Sequence, residues 1–318
     1  MVILITGGAG FIGSSLADKL LTEGNKLLVI DNLNDYYDLK LKKQNIVSNL
    51  DNPDYTFCEG DICDKELMAK IFAGNEIDSV VHFASLAGVR HSFKYPLEYL
   101  KNNIVGTINL LEQMRNNKVG KIVFASSSSV YGECNAEKFR EDVGIENPVS
   151  PYAVSKLACE HILRAYSKSY GISAICLRLF SVYGPRQRPD LVVRKFVNLI
   201  NEDKPVYVYG NGKTVRDYTY IDDIVSGICA AINYDKSLYE VINLGAGNPI
   251  SLEEVIGTIE KVLGKKAKRQ NLPMQRGDVY KTASDITKAY KLLNYEPKIS
   301  FEDGIRNFIQ WEEAQQKF

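Results

Sequence analysis

Tyr152 and Lys156 stand four residues apart in the stretch S-P-Y-A-V-S-K (150–156). On a helix that spacing puts a phenol and an amine on one face. A free tyrosine titrates near about 10 and is a poor base at neutral pH. A nearby ammonium, and any second positive charge, favours the phenolate. A tyrosine so placed can take a proton from a substrate hydroxyl while hydride leaves the same carbon. One hydroxyl of the serine run 126–129 can orient that substrate and share the proton.

Hydride needs an acceptor, and the start of the chain offers a seat for one. Gly7, Gly10 and Gly13 recur every third residue after the apolar run Val2 to Ile5, and Phe11, Ile12, Leu16 and Leu20 follow at helical spacing. A strand, a glycine turn and a helix start are thus predicted in that order. The free N–H groups and the dipole of a helix N-terminus attract pyrophosphate, and glycines let the backbone come close. A second strand, Lys26 to Ile30, runs into Asp31. An acid there accepts hydrogen bonds from both hydroxyls of an adenosine ribose and repels a 2′-phosphate, which points to NAD rather than NADP.

The elements that must position these residues alternate. Strands are expected at Tyr55 to Phe57, Ser79 to Ala84, Lys121 to Ala125 and Ser173 to Leu179. Helices are expected around Lys40 to Leu50, Lys65 to Phe72, Pro96 to Asn116 and Ser150 to Tyr170. In the third of these, Leu97, Leu100, Ile104, Ile108 and Leu111 are read as one apolar side. Such alternation predicts an α/β fold of Rossmann type, with a doubly wound parallel sheet and ligands at the carboxyl ends of its strands. Three polar strand ends, at 7–13, 83–87 and 126–129, should therefore meet. From Phe180 the rhythm changes: loops lengthen and elements shorten. Residues 1–179 read as the NAD-binding part with the catalytic residues, and 180–318 as a smaller C-terminal α/β lobe for substrate, with an interleaved boundary. That lobe should hold helices at 191–201, 222–233, 252–263, 285–293 and 301–315, and short strands near 206–209 and 240–243.

Composition excludes several classes. Lys+Arg and Asp+Glu both number 39 in 318 residues, so no net field draws the chain to nucleic acid or to an anionic membrane. Six cysteines form no C-x-x-C pair, and His82, His91 and His161 are read as structural, so no metal site is expected. No apolar run approaches a membrane span. Scattered cysteines, and a chain that opens directly in a strand, read as a cytoplasmic protein.

Taken together, T-G-G-A-G-F-I-G (6–13), D-N (31–32), G-D-I (60–62), H-F-A (82–84), S-S-S-V-Y-G (127–132), S-P-Y-A-V-S-K (150–156) and R-D-Y-T-Y-I-D-D (216–223) resemble the extended short-chain dehydrogenase/reductases, nucleotide-sugar 4-epimerase branch, over essentially the whole chain. The resemblance implies a catalytic triad at Ser127, Tyr152 and Lys156. It implies NAD contacts at Gly7, Gly10, Phe11, Ile12, Gly13, Asp31, Asn32, Asp61, Ile62, Phe83, Ala84, Ala87 and Asn102, besides Tyr152 and Lys156. It puts the nucleotide diphosphate at Arg216, and further substrate contacts at Arg90 and Asp278. Members of the family are often homodimers, paired through the helices here expected at 96–116 and 150–170.

Dehydratases and decarboxylases of the family look like T-D-E or T-S-E before V-Y-G, whereas Ser127, Ser128 and Ser129 stand here. Without that acid, oxidation at carbon 4 and hydride return remain, which is epimerisation with NAD tightly held. N-D-Y-Y-D (34–38), A-G-V-R-H-S (87–92) and F-S-V-Y-G-P-R-Q-R-P-D (180–190) are similar to stretches of UDP-glucuronate 4-epimerases. A sugar carboxylate needs donors: Ser128, Ser129 and Ser181 offer hydroxyls, and Arg188 a charge-assisted contact that can be bidentate. UDP-glucose, UDP-N-acetylglucosamine or a net NAD-dependent oxidation are the alternatives. Many relatives carry an arginine two residues before the glycine of G-D (277–278). Gln275 holds that place here and Arg276 follows it, so no diphosphate role is assigned to Arg276.

Overall fold

Alternate residues of the first strand go to opposite faces of one sheet. In β1 (Val2–Thr6), Ile3 and Ile5 join one apolar cluster and Leu4 the other. In β2 (Lys26–Asp31), Leu27 and Val29 oppose Leu28 and Ile30 in the same way. A strand buried on both faces must be apolar throughout, which is why these segments read as continuous hydrophobic runs. The computed structural model describes residues 1–143, 147–210, 212–274 and 277–315. With β3 (Tyr55–Glu59), β4 (Ser79–His82), β5 (Lys121–Ser127), β6 (Ser173–Leu179) and β7 (Tyr239–Leu244), β1 and β2 form a seven-stranded parallel sheet. Its order is β3-β2-β1-β4-β5-β6-β7.

The order reverses between β1 and β4, and a crevice opens there at the carboxyl ends. Helices Phe11–Thr22 and Ile221–Asn233 cover one face; Lys65–Ala73, Gly106–Asn116 and Pro151–Tyr170 cover the other. Pro151–Tyr170 begins cleanly because Ser150 caps it, its hydroxyl accepting the Ala153 N–H at 3.1 Å, and because Pro151 occupies the first helical position.

The segment after residue 180 is not confined to a separate lobe. β7 hydrogen-bonds to β6 in the main sheet, and Ile221–Asn233 packs across that sheet, so a cut at 179/180 passes through the core. The remainder contains the short parallel pairs Ser181–Tyr183 with Tyr218–Tyr220 and Pro205–Tyr209 with Lys268–Leu272. Helices Val192–Asn201, Leu252–Leu263 and Phe301–Gln315 share the same apolar cluster as the sheet face.

The helix expected at 96–116 needs a correction. Pro96–Tyr99 is α-helical, Leu100–Val105 is a π-helical turn, and Gly106–Asn116 is α-helical again. A π turn adds a residue and resets the helical phase, so the five aliphatic residues do not share a buried side. Leu111 is fully buried, but Leu97 is 78% exposed. The inward positions are Tyr99, Asn103, Thr107, Leu110 and Met114.

Candidate active site

One cleft of about 470 Å³ runs along the carboxyl ends of β1, β4 and β5. Every residue assigned above to NAD lines it, as do Ser127, Ser128, Ser129, Ser181, Arg188 and Arg216. Residues spread over more than two hundred positions are thus brought to one place by the sheet order.

At one end, Gly7 adopts φ +71°, and a Cβ there would lie 2.7 Å from the Ala84 nitrogen, so β1 and β4 approach only because glycine stands at the turn. Gly10 is the N-cap of Phe11–Thr22 and provides no side-chain cap, and no acid sits in the first turn. Its missing Cβ would have only the Gly7 carbonyl oxygen within 4 Å. Free N–H groups therefore face the cleft without a competing anion, and they fit a pyrophosphate. Asp31 accepts the Ala9 N–H at 3.1 Å and the Leu33 N–H at 2.9 Å, with Lys42 Nζ 3.8 Å away. Those bonds fix the carboxylate and leave it lone pairs for ribose hydroxyls. Asp61 accepts from the Asn32 side-chain amide at 3.0 Å and from the Cys63 N–H at 2.8 Å. Together these groups fit a dinucleotide.

Deeper in, Lys156 is buried and donates to Ser85 Oγ at 3.0 Å and to the Ala125 carbonyl at 2.8 Å. That leaves an ammonium one N–H to offer. Burial pushes its pKa down to about 8. Tyr152 is hydrogen-bonded to Ser127, and Ser127 donates to Ser129 Oγ at 3.1 Å. Burial raises the Tyr152 pKa above its ordinary value, and the groups that oppose the rise are Ser127 and Arg188.

The helix carrying the pair is anchored below the site. Glu160, one turn beyond Lys156, accepts Ser126 Oγ at 2.5 Å and binds Arg178 through Nε at 3.0 Å and Nη2 at 2.7 Å. Asn103, from the π turn, accepts the Leu86 N–H at 2.8 Å and donates to the Leu86 carbonyl at 3.1 Å and to Ser155 Oγ at 2.8 Å. Its neighbour Asn102 lines the cleft. His82 sits between Thr6 Oγ1 at 2.6 Å and Thr107 Oγ1 at 3.0 Å, and burial followed by the Lys156 charge pushes its pKa down to about 3. It is neutral and structural.

Among the cleft residues expected to meet a substrate, Arg188 gives its Nε and Nη2 edge to Asp190, both bonds 2.9 Å long, so the edge left over is Nη1–Nη2. Arg186 turns away to Asp18 at 2.7 Å. Arg216 is held by the carbonyls of Val215 at 2.8 Å and Val279 at 2.7 Å. Arg90 and Asp278 are not in the cleft wall: they pair with each other at 2.8 Å, and Asp278 lines a smaller adjoining cavity of about 140 Å³ with Ser128, Ser129 and Ser181. Gln275 and Arg276 lie outside the described residues.

Tyr36, Tyr37, Lys42, Ser85 and Tyr218 also line the cleft and were not singled out individually from the sequence. Tyr36 and Tyr37 fall in the N-D-Y-Y-D stretch, so a signal existed. Lys42 had none, since a lysine on a short polar helix reads as solvated. Among the described residues, the only carboxylates lining the cleft are Asp31 and Asp61, both near the glycine turn, and no group of three or more His, Cys, Asp or Glu could hold a metal ion.

A family model described as GDP-mannose 4,6 dehydratase matches residues 4–308. A UDP-glucuronate 4-epimerase of Thermodesulfobacterium geofontis is 43% identical over 310 residues, covering 97% of this chain and 95% of that protein. The crystal structure of UDP-glucuronic acid 4-epimerase from Bacillus cereus in complex with UDP-glucuronic acid and NAD is 38% identical, with a TM-score of 0.93 over 99% of this chain and 100% of that one. A UDP-glucose 4-epimerase of Thermotoga maritima with UDP-glucose is 34% identical, with a TM-score of 0.91 over 99% and 100% of the two chains.

Proposed function

The chain belongs to the GDP-mannose 4,6 dehydratase family, within the extended short-chain dehydrogenase/reductases, and from that premise we propose that it is an NAD-dependent UDP-glucuronate 4-epimerase. Its reaction interconverts UDP-glucuronate and UDP-galacturonate. The observation that carries this reading is the lining of the cleft, which holds three serine hydroxyls and Arg188 and, among the described residues, no carboxylate besides Asp31 and Asp61. Hydroxyls and a guanidinium suit a uronyl carboxylate. An acid for elimination or decarboxylation after oxidation is missing from that wall among the described residues.

Bound NAD supplies a cationic ring that takes hydride and gives it back. Once the cationic ring is bound and the phenol has given its proton to solvent, the Tyr152 phenolate would accept the proton of the sugar 4-hydroxyl as the carbon 4 hydrogen departs as hydride, leaving a 4-keto sugar. Ser127 shares a hydrogen bond with the Tyr152 hydroxyl and orients the reacting oxygen. Lys156, with one N–H left over, would hold the dinucleotide ribose. Ser128, Ser129, Ser181 and Arg188 hold the carboxylate, and Arg216 the diphosphate, with Arg90 and Asp278 closing the nucleotide side. The keto sugar rotates, hydride returns to its other face, and Tyr152 gives the proton back. In this reading residues 1–179 bring the cofactor and the base, while 180–318 bring most of the sugar-nucleotide contacts.

We also read the protein as a cytoplasmic homodimer. The dimer contact falls on the helical segment 96–116 and on Pro151–Tyr170, which adjoin and expose Leu97, Leu100, Val105 and Val154. The cytoplasmic placement is supported by six free cysteines. No described helix is long and apolar enough to cross a membrane. Incubation with UDP-glucuronate, UDP-glucose and UDP-N-acetylglucosamine in parallel, followed by proton NMR, tests the substrate. The uronate should be epimerised without added reductant, and conversion of UDP-glucose alone would remove the carboxylate reading.

A further inference from the structure

The arginine at the sugar end is not a free side chain reaching into the cleft. It is mostly buried, its Nε–Nη2 edge is occupied by Asp190, and its guanidinium carbon lies over the ring of Tyr36, 5.2 Å from the ring centre. Tyr36 comes from a distant part of the chain, just past β2, and is itself held from three sides. Its N–H bonds to Asn34 Oδ1 at 3.2 Å, and the Asn34 N–H bonds to Asn32 Oδ1 at 3.2 Å. Its ring meets His91 edge-on at 4.9 Å and 87°. Its hydroxyl meets that of Tyr99. Gly88, at φ +114°, leaves the space for it, since a Cβ there would lie 2.6 Å from the Tyr36 hydroxyl oxygen.

A guanidinium with free rotamers must be ordered when its ligand arrives, which weakens binding. One clamped between an aromatic face and a carboxylate is ordered beforehand, with a defined edge left over. We propose that Tyr36 is a positioning residue for Arg188: its ring holds the guanidinium so that the Nη1–Nη2 edge meets the carboxylate of the sugar, and preference for an acidic sugar depends on that ring. The proposal rests on the UDP-glucuronate reading above. It also gives a physical use to a segment, 31–36, that starts at the dinucleotide end in Asp31 and ends at the sugar end.

The test compares UDP-glucuronate with UDP, which shares the nucleotide and lacks the uronate. In the holoenzyme, Tyr36→Leu should raise the KM for UDP-glucuronate about tenfold and change the Kd for UDP less than about twofold, while Tyr36→Phe, which keeps the π face, should stay within about twofold on both. Tyr36→Met, equally without a π face, serves the same comparison if the leucine variant does not fold. Parallel losses for both ligands, or no change in either, would overturn the proposal, because a merely structural tyrosine gives one of those results. If the unmodified enzyme does not turn over UDP-glucuronate at all, the substrate reading fails, and the proposal with it, before any variant is made.

Discussion

Tyr152 is a phenol whose surroundings resist its ionisation. Burial raises its pKa, and the protein opposes that only through Ser127 and Arg188. It is therefore protonated at neutral pH in the protein alone and suits a base that acts only once the ligands are assembled. Tyr152→Phe should lower turnover by about 10² or more while bound NAD is retained; kcat and the dinucleotide released on denaturation check this, and unchanged turnover would refute the role. The spacing of Tyr152 and Lys156 was legible because helical geometry is local. The partners of Lys156 were not, because Ser85 and Ala125 reach it only through the pairing of β1, β4 and β5. Tyr36 was hidden for the same reason: nothing in the order of residues says that it will lie on Arg188.

At the scale of elements, β4 carries a histidine into the core under the helix that bears the base. His82 is fully buried and its pKa is depressed from 6.5 to about 3. The unfolded chain thus binds a proton that the folded chain refuses throughout that window. Stability contributed by this group is present above pH 6.5 and is lost as the pH falls, by about 1.4 kcal/mol per unit. Between pH 6.5 and 5.0 the loss is about 2 kcal/mol. Urea unfolding of the wild type and His82→Gln at those two pH values should show a shallower fall in the variant by about that amount; parallel falls would contradict it. Buried parallel strands and the helix Pro151–Tyr170 were legible because their period is continuous. The π turn at Leu100–Val105 was not. It carries Asn103 to the Leu86 backbone, a contact that a one-dimensional pattern cannot contain. The return of Tyr239–Leu244 to the main sheet escaped for a similar reason, since partner choice is not written in a strand's own residues.

On the whole molecule, the phase reset by that turn leaves Leu97 and Leu100 on the surface beside Pro151–Tyr170. Exposed aliphatics clustered on neighbouring helices mark an interaction face. Replacing both leucines by glutamate should convert a dimer to a monomer in light scattering after size exclusion, with NAD still bound; a wild-type monomer would contradict the homodimer. One cleft is lined both by the glycine turn and by Ser128, Ser129, Ser181 and Arg188.

In the proposed reaction hydride leaves carbon 4 of the sugar and returns to it without leaving the cleft. UDP-glucuronate deuterated at carbon 4, incubated with the protein in ordinary water, tests it in one spectrum. The expected product is UDP-galacturonate with the deuterium still on carbon 4, with no accumulating NADH. Product that has lost the label to water, or no 4-epimer at all, would contradict it.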